Sequence, residues 1–234
     1  LSIFGLVLFI GVPVVQIIWL AVRILFSIPK QSTTTRTVLA SIWIIGIILL
    51  IYVGSKTSSN FSSESYNTST VDINIQSDTL YLELSDNNFF NTHQKGTSFY
   101  YDEDLSSLLT TEVDLDIKKS INDSYQLKIN KFANGSSQKQ AKINAEKIDY
   151  DYSLEDNTLN FSNYLSVEPN EGFRFQEVNI VLYVPKGKTI YLDNSVKYFI
   201  SDVDNTTDTY DTYDKRMVNH YWKMNHNLDC LDCN

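Results

Sequence analysis

The sequence predicts two membrane-spanning helices followed by a mainly β domain, and three observations carry that expectation. Two long apolar runs lie close together at the start of the chain. Period-two alternation of apolar and polar residues dominates the rest of the chain, and the charge divides sharply between the two parts. Of the 234 residues, those up to Lys56 hold four cations, Arg23, Lys30, Arg36 and Lys56, and no Asp or Glu. The remainder holds the other 15 basic residues and all 28 acidic ones, a net charge of −13. Such an acidic body repels phosphate backbones, and no basic run with interleaved aromatics offsets that, so nucleic acid is excluded as a partner.

The first run, Ile3 to Ile28, has Arg23 as its one charge and reaches the roughly 20 apolar residues that a bilayer crossing needs. It is apolar on every face, which argues against a helix of a soluble core. It lacks an initiating Met, a basic leading region and a small-residue cleavage site, so it reads as a span rather than a signal peptide, in a chain that begins mid-protein. The second run, Val38 to Val53, is extended by Thr37 and Gly54 to 37–54. Pro13 marks a kink in the first helix, and Trp19 and Trp43 read as packing between the helices. The lipid bilayer is thus the first partner. Segment 29–36, Pro-Lys-Gln-Ser-Thr-Thr-Thr-Arg, carries Lys30 and Arg36 and follows Arg23, whereas Lys56 stands alone on the other side. Counting Lys and Arg places that loop in the cytoplasm and the acidic domain across the membrane.

Residues 55–70 are rich in Ser, Thr and Asn and are expected to form a flexible linker. A β domain is expected over 71–200. Val71–Ile75, Leu80–Leu84, Val113–Ile117 and Leu127–Phe132 alternate strictly, and further strands are expected at 148–154, 158–161, 177–184 and 189–193. Turns are marked by Ser77-Asp78, Asp156-Asn157 and Pro185-Lys-Gly-Lys188. One short helix is expected near 136–147, capped by Asn134 or Ser136, with Ala141, Ala145 and Ile148 on its buried face. Short strands, frequent turns and one helix suggest a β-sandwich or a stacked β-solenoid. Segment 201–234 reads as an acidic loop followed by a tail.

No nucleophile elbow, phosphate-cradling glycine loop or His-Glu-x-x-His motif is present, so no enzyme, catalytic residue or cofactor is expected. The carboxylates of Asp102-Glu-Asp104 read as solvated surface. Asp202, Asp204, Asp208, Asp211 and Asp214 fail the EF-hand spacing, since Thr206 takes a ligand position and no turn glycine follows. Asn60, Asn122 and Asn205 head Asn-x-Ser/Thr triplets of the sort that a Ser/Asn/Thr-rich chain produces by chance. One cluster stands out. His220, His226, Cys230 and Cys233 could complete a tetrahedral zinc site, the two cysteines could form a disulfide, or the tail could be chemically idle.

Gly11-Val-Pro13 in the first helix, the basic loop, Val184-Pro185-Lys-Gly-Lys188 and the ending His220-Tyr-Trp-Lys-Met224 with Cys230-Leu-Asp-Cys233 resemble the C-terminal part of phage-shock-protein C (PspC) family proteins of the Bacteroidetes type. The resemblance implies a toast-rack-like β domain in the periplasm, anchored in the bacterial cytoplasmic membrane. It also implies a namesake domain upstream of Leu1, partners among membrane or envelope proteins, and a role in envelope-stress sensing or signalling. An adhesin-like or structural envelope module is the alternative from the residues themselves; a thiol-redox tail is the remoter one.

Overall fold

The computed structural model describes residues 2–26, 32–75, 77–85, 100–103, 106–201, 203–206 and 216–233. It divides into two units, Leu1–Phe61 and Ser62–Asn234.

The first unit is a pair of helices, α1 (Ser2–Phe26) and α2 (Thr33–Ser59). α2 begins earlier than the apolar run because Ser32 caps it, its side chain accepting from the Thr35 N–H at 3.2 Å. Residues 33–36, expected in the loop, therefore belong to the helix. Thr37 and Ser41 donate their hydroxyls to the Thr33 and Thr37 carbonyls, each at 3.0 Å, so neither hydroxyl is left bare toward lipid. At 27 residues, α2 is about 40 Å long, more than a hydrocarbon core of about 30 Å requires. The helices approach closely at Gly46, where an added Cβ would lie 3.0 Å from Leu8 Cβ and 3.1 Å from the Phe9 amide nitrogen.

That approach answers a specific need of α1. Proline at position 13 has no N–H, so the Phe9 carbonyl lacks its helical partner. Trp43, one turn before Gly46, donates its indole N–H to this carbonyl at 3.1 Å, and its ring stacks near Phe9 at a centroid distance of 6.2 Å. The expectation that Trp43 packs between the helices thus gains a polar component.

The second unit contains β1 (Ser63–Ile73), β2 (Thr79–Leu84), β3 (Tyr100–Asp102), β4 (Ser107–Thr110), β5 (Val113–Lys119), β6 (Tyr125–Gly135), α3 (Gln138–Glu146), β7 (Tyr152–Glu155), β8 (Thr158–Phe161), β9 (Leu165–Val167), β10 (Glu177–Val184), β11 (Thr189–Leu192), β12 (His220–Met224) and β13 (Leu228–Cys230). A four-stranded sheet runs β1-β6-β10-β5, a six-stranded sheet β13-β12-β11-β2-β8-β7, and a small one β3-β4-β9. None closes into a barrel. The chain passes back and forth between the two larger sheets, so parallel neighbours arise at β5–β10, β2–β8 and β2–β11.

The alternating residues build one core from both large sheets. Val113, Leu115 and Ile117 of β5, Leu127 and Ile129 of β6 and Val178, Ile180, Leu182 and Val184 of β10 meet Leu80, Leu82, Leu159, Phe161, Ile190, Leu192 and Trp222. After β11 a 3₁₀ turn, Asn194–Tyr198, carries the chain across to the edge of β5. There the Leu115 amide donates to the Phe199 carbonyl and the Ser201 amide to the Leu115 carbonyl, at 2.8 and 2.9 Å. That edge is thereby covered, which limits strand-to-strand aggregation.

Several expectations need correction. The supposed linker 55–70 is the end of α2 and most of β1. β1 buries little, yet it pairs with β6 from Ser63↔Gly135 to Ile73↔Tyr125 and lies against α3. Backbone pairing, which composition does not reveal, holds it. α3 is capped by Ser137, accepting from Gln140 N–H at 3.2 Å, and not by Asn134 or Ser136, which lie in or just beyond β6. The strand expected at 148–154 splits: Ile148 and Tyr150 are buried, Asp149 bridges Ser166, and β7 starts at Tyr152. The tail is the largest departure. β12 and β13 lie within the six-stranded sheet, and Trp222 is fully buried with its indole N–H on the Met217 carbonyl at 2.8 Å.

Candidate functional site

The β12–β13 hairpin concentrates most of the chemistry noted in the sequence. Its register pairs Trp222 with Cys230, so their side chains share the inward face, and alternation puts His220 on that face too. Past the last pair, the Leu231 amide donates to the Tyr221 carbonyl at 2.9 Å. The Asp232 carboxylate then turns back to accept from the Tyr221 amide at 3.0 Å and lies 3.2 Å from His220 Nδ1. Cys230 and Cys233 form a disulfide, Cα to Cα 5.7 Å, packed against the margin of the core.

His220, Cys230, Asp232 and Cys233 each place one donor atom within 4.8 Å of the others. Three of the four expected metal candidates are therefore together. His226 is not: it sits in the turn between Met224 and Leu228, toward the opposite end of the hairpin from His220. Asp232 takes its place. The sequence signal for Asp232 was the pairing register, which sets the residue after Leu231 beside His220; without the turn placed, that register was not readable.

Asp229, on β13, is held below the usual carboxylate range by hydrogen bonds from Thr206 and from the Asn225 amide. Asp204 supplies its backbone carbonyl to the Leu228 amide at 3.1 Å. Asp202, Asp208, Asp211 and Asp214, like Asp104, lie outside the described residues. Asn122 sits in an exposed turn before β6, Asn60 just past α2, and Asn205 beside the β13 backbone.

Two outer faces show ordered polar surface. Across the four-stranded sheet the registers align Asp114, Asn179, Asn130 and Thr68 in one row, and Thr68 donates to Asn130 at 2.8 Å. Asp114, Asn130 and Asn179 of that row also line an open depression of about 380 Å³, together with Asp116, Glu177 and Ser201. On the six-stranded sheet Tyr81, Tyr191 and Tyr221 stand side by side, with ring centroids 5.6 and 4.8 Å apart. A hydrogen bond with the Tyr81 phenol raises the Tyr221 pKa above its ordinary value. An acidic β face rich in Tyr and Asn is what the adhesin-like alternative expects, but which residues form each row was not legible, because a row across strands appears only once partners are known.

Tyr125 is different again. It is buried at the start of β6, its hydroxyl finds no hydrogen-bond partner among the described residues, and burial together with the Asp78 charge pushes its pKa up to about 12. Asp78 itself is held below the usual range by Lys188, 2.5 Å away.

Comparison with known proteins gives two matches. Residues 1–61 match the PspC transmembrane region, and residues 99–234 match the toast-rack domain found in some PspC proteins. Neither is a family of enzymes. No curated protein and no solved structure matches the chain.

Proposed function

The chain belongs to the PspC family, and from that membership we propose that this membrane-anchored, envelope-stress-related protein works by binding: its β domain meets envelope partners outside the cytoplasm, and the helices relay that state inward. One observation carries the reading, the succession in a single chain of the PspC membrane region and the toast-rack domain. The charge distribution supports the orientation. Arg23, Lys30 and Arg36 flank one end of the hairpin against Lys56 at the other, and the body beyond carries −13. The row Asp114–Asn179–Asn130–Thr68 is a polar surface suited to a partner's hydrogen-bonding groups. The tyrosine row favours a second reading, an adhesive or structural envelope module, since exposed aromatics supply contact area at low entropic cost.

The test is a comparison of the full chain with one lacking residues 62–234, in cells carrying a transcriptional reporter of envelope stress. Loss of the reporter response on deletion is the expected result. A response that survives, with loss of surface attachment only, refutes signalling in favour of the structural module. Fusing alkaline phosphatase after the β domain checks orientation independently, and an inactive fusion refutes the outward placement.

A further inference from the structure

The β12–β13 end offers more than a disulfide. We propose that reduction of Cys230–Cys233 creates a four-ligand site for a thiophilic divalent cation, with Zn²⁺ the best chemical match. Its ligands are the two sulfurs, a ring nitrogen of His220 and a carboxylate oxygen of Asp232.

The donor set is the first argument. Two thiolates, one imidazole and one carboxylate suit zinc, whereas the hard cations Ca²⁺ and Mg²⁺ take oxygen ligands throughout. Distance is the second. Tetrahedral zinc with bonds of about 2.0–2.3 Å holds its ligands about 3.3–3.8 Å apart. The four donor atoms lie within 4.8 Å of one another in the disulfide-bonded state, so the widest pairs need to contract by about 1 Å while the two sulfurs, freed from their bond, part to ligand spacing. Preorganisation is the third. His220 and Cys230 are fixed on the inward face by strand register, and the Tyr221 amide already holds the Asp232 oxygen that faces them, 3.2 Å from His220 Nδ1 and 3.6 Å from Cys230 Sγ. Cys233 follows Cys230 by three residues, with the Cα atoms 5.7 Å apart on a turn that can separate the sulfurs without moving β13.

The chemistry balances with an external dithiol as reductant. Its two thiols reduce the disulfide by exchange, becoming a disulfide themselves and leaving Cys230 and Cys233 as thiols. The cation then displaces both thiol protons to solvent. Two thiolates, one carboxylate and Zn²⁺ leave the site with one net negative charge. Oxidised and metal-bound states exclude each other, so the same residues report redox state or capture metal, but not both at once.

The test uses the full chain in detergent micelles, reduced with a phosphine under anaerobic conditions and titrated with Co²⁺. The expected result is one equivalent bound, with thiolate-to-cobalt charge-transfer absorption that Zn²⁺ abolishes; the oxidised chain gives none. His220→Ala and Asp232→Ala should each weaken binding at least about tenfold, while His226→Ala leaves it unchanged. Cys230→Ser/Cys233→Ser should remove the absorption. Should that variant misfold, carboxamidomethylation of the reduced wild-type thiols serves the same purpose. Absence of charge-transfer bands overturns the site. Bands that His220→Ala and Asp232→Ala leave equally strong also overturn it, since they report a simple dithiol chelate.

Discussion

Replacing Trp43 by Phe should loosen the helical hairpin far more when residue 13 is proline than when it is alanine. The Phe9 carbonyl has no amide four residues on, because Pro13 occupies that position, and the Trp43 indole N–H at 3.1 Å supplies the missing donor. Trp43→Phe keeps a ring near Phe9 and removes that donor. Within a membrane protein such an interhelical bond is worth about 0.6 kcal/mol on average and up to about 1.7. Pro13→Ala restores a backbone N–H to the carbonyl, after which the indole is redundant and Trp43→Phe costs packing alone. The coupling between the two substitutions should therefore be about 1 kcal/mol, a factor of about five. A disulfide equilibrium measures it directly. In a Cys230→Ser/Cys233→Ser background, Gly5→Cys and Leu49→Cys form a reporter pair, since a Cβ at Gly5 lies 3.3 Å from that of Leu49. Equilibration of micellar protein with glutathione buffers gives the effective concentration of the pair. Trp43→Phe should lower it about fivefold when proline is present and much less when it is combined with Pro13→Ala. Equal losses in the two backgrounds would refute the argument that the tryptophan serves the proline's orphaned carbonyl.

Three further outcomes are expected. Trp222→Ala should destabilise the β domain by about 3–5 kcal/mol, with about 1 more for the stranded Met217 carbonyl, and lower its melting temperature by about 10 °C or more in near-ultraviolet circular dichroism of the full chain. A shift of only a degree or two would mean that the C-terminal segment is no part of the core. Gly135→Ala should cost well over about 1 kcal/mol, because its Cβ would clash with the Ala141 amide nitrogen and force α3 off the sheet, whereas Gly187→Ala has open space and should cost about 1 kcal/mol, only for its left-handed φ of +84°; urea unfolding of both variants checks the order. Tyr125 has a folded pKa of about 12, above its ordinary value near 10, so its stabilising contribution is complete below about pH 10 and is lost as the pH rises through about 12. Tyr125→Phe, which removes a partnerless hydroxyl, should be neutral or mildly stabilising at about pH 7 and should flatten the alkaline loss; a strong destabilisation there would contradict the burial argument.

The residues alone determined the two apolar spans, the acidic β body and the strands whose alternation is strict, such as β2 and β5. In these the inward face is written into every second position, and burial follows from composition. The family was legible too, from Val184-Pro185-Lys-Gly-Lys188 and the two helices, because such segments keep their order along the chain. What remained hidden depended on partners remote in sequence. β1 looks like a linker until β6 satisfies its backbone, and β12 looks like a tail until β11 and β13 flank it and Trp222 enters the core. Trp43 could be seen as an aromatic in a span, but not as the donor to a carbonyl 34 residues away. Asp232 replaced His226 beside the cysteines for the same reason. Local pattern reports which face of a segment avoids water, whereas hydrogen-bond partners and ligand sets are fixed by register between segments, which only the folded chain decides.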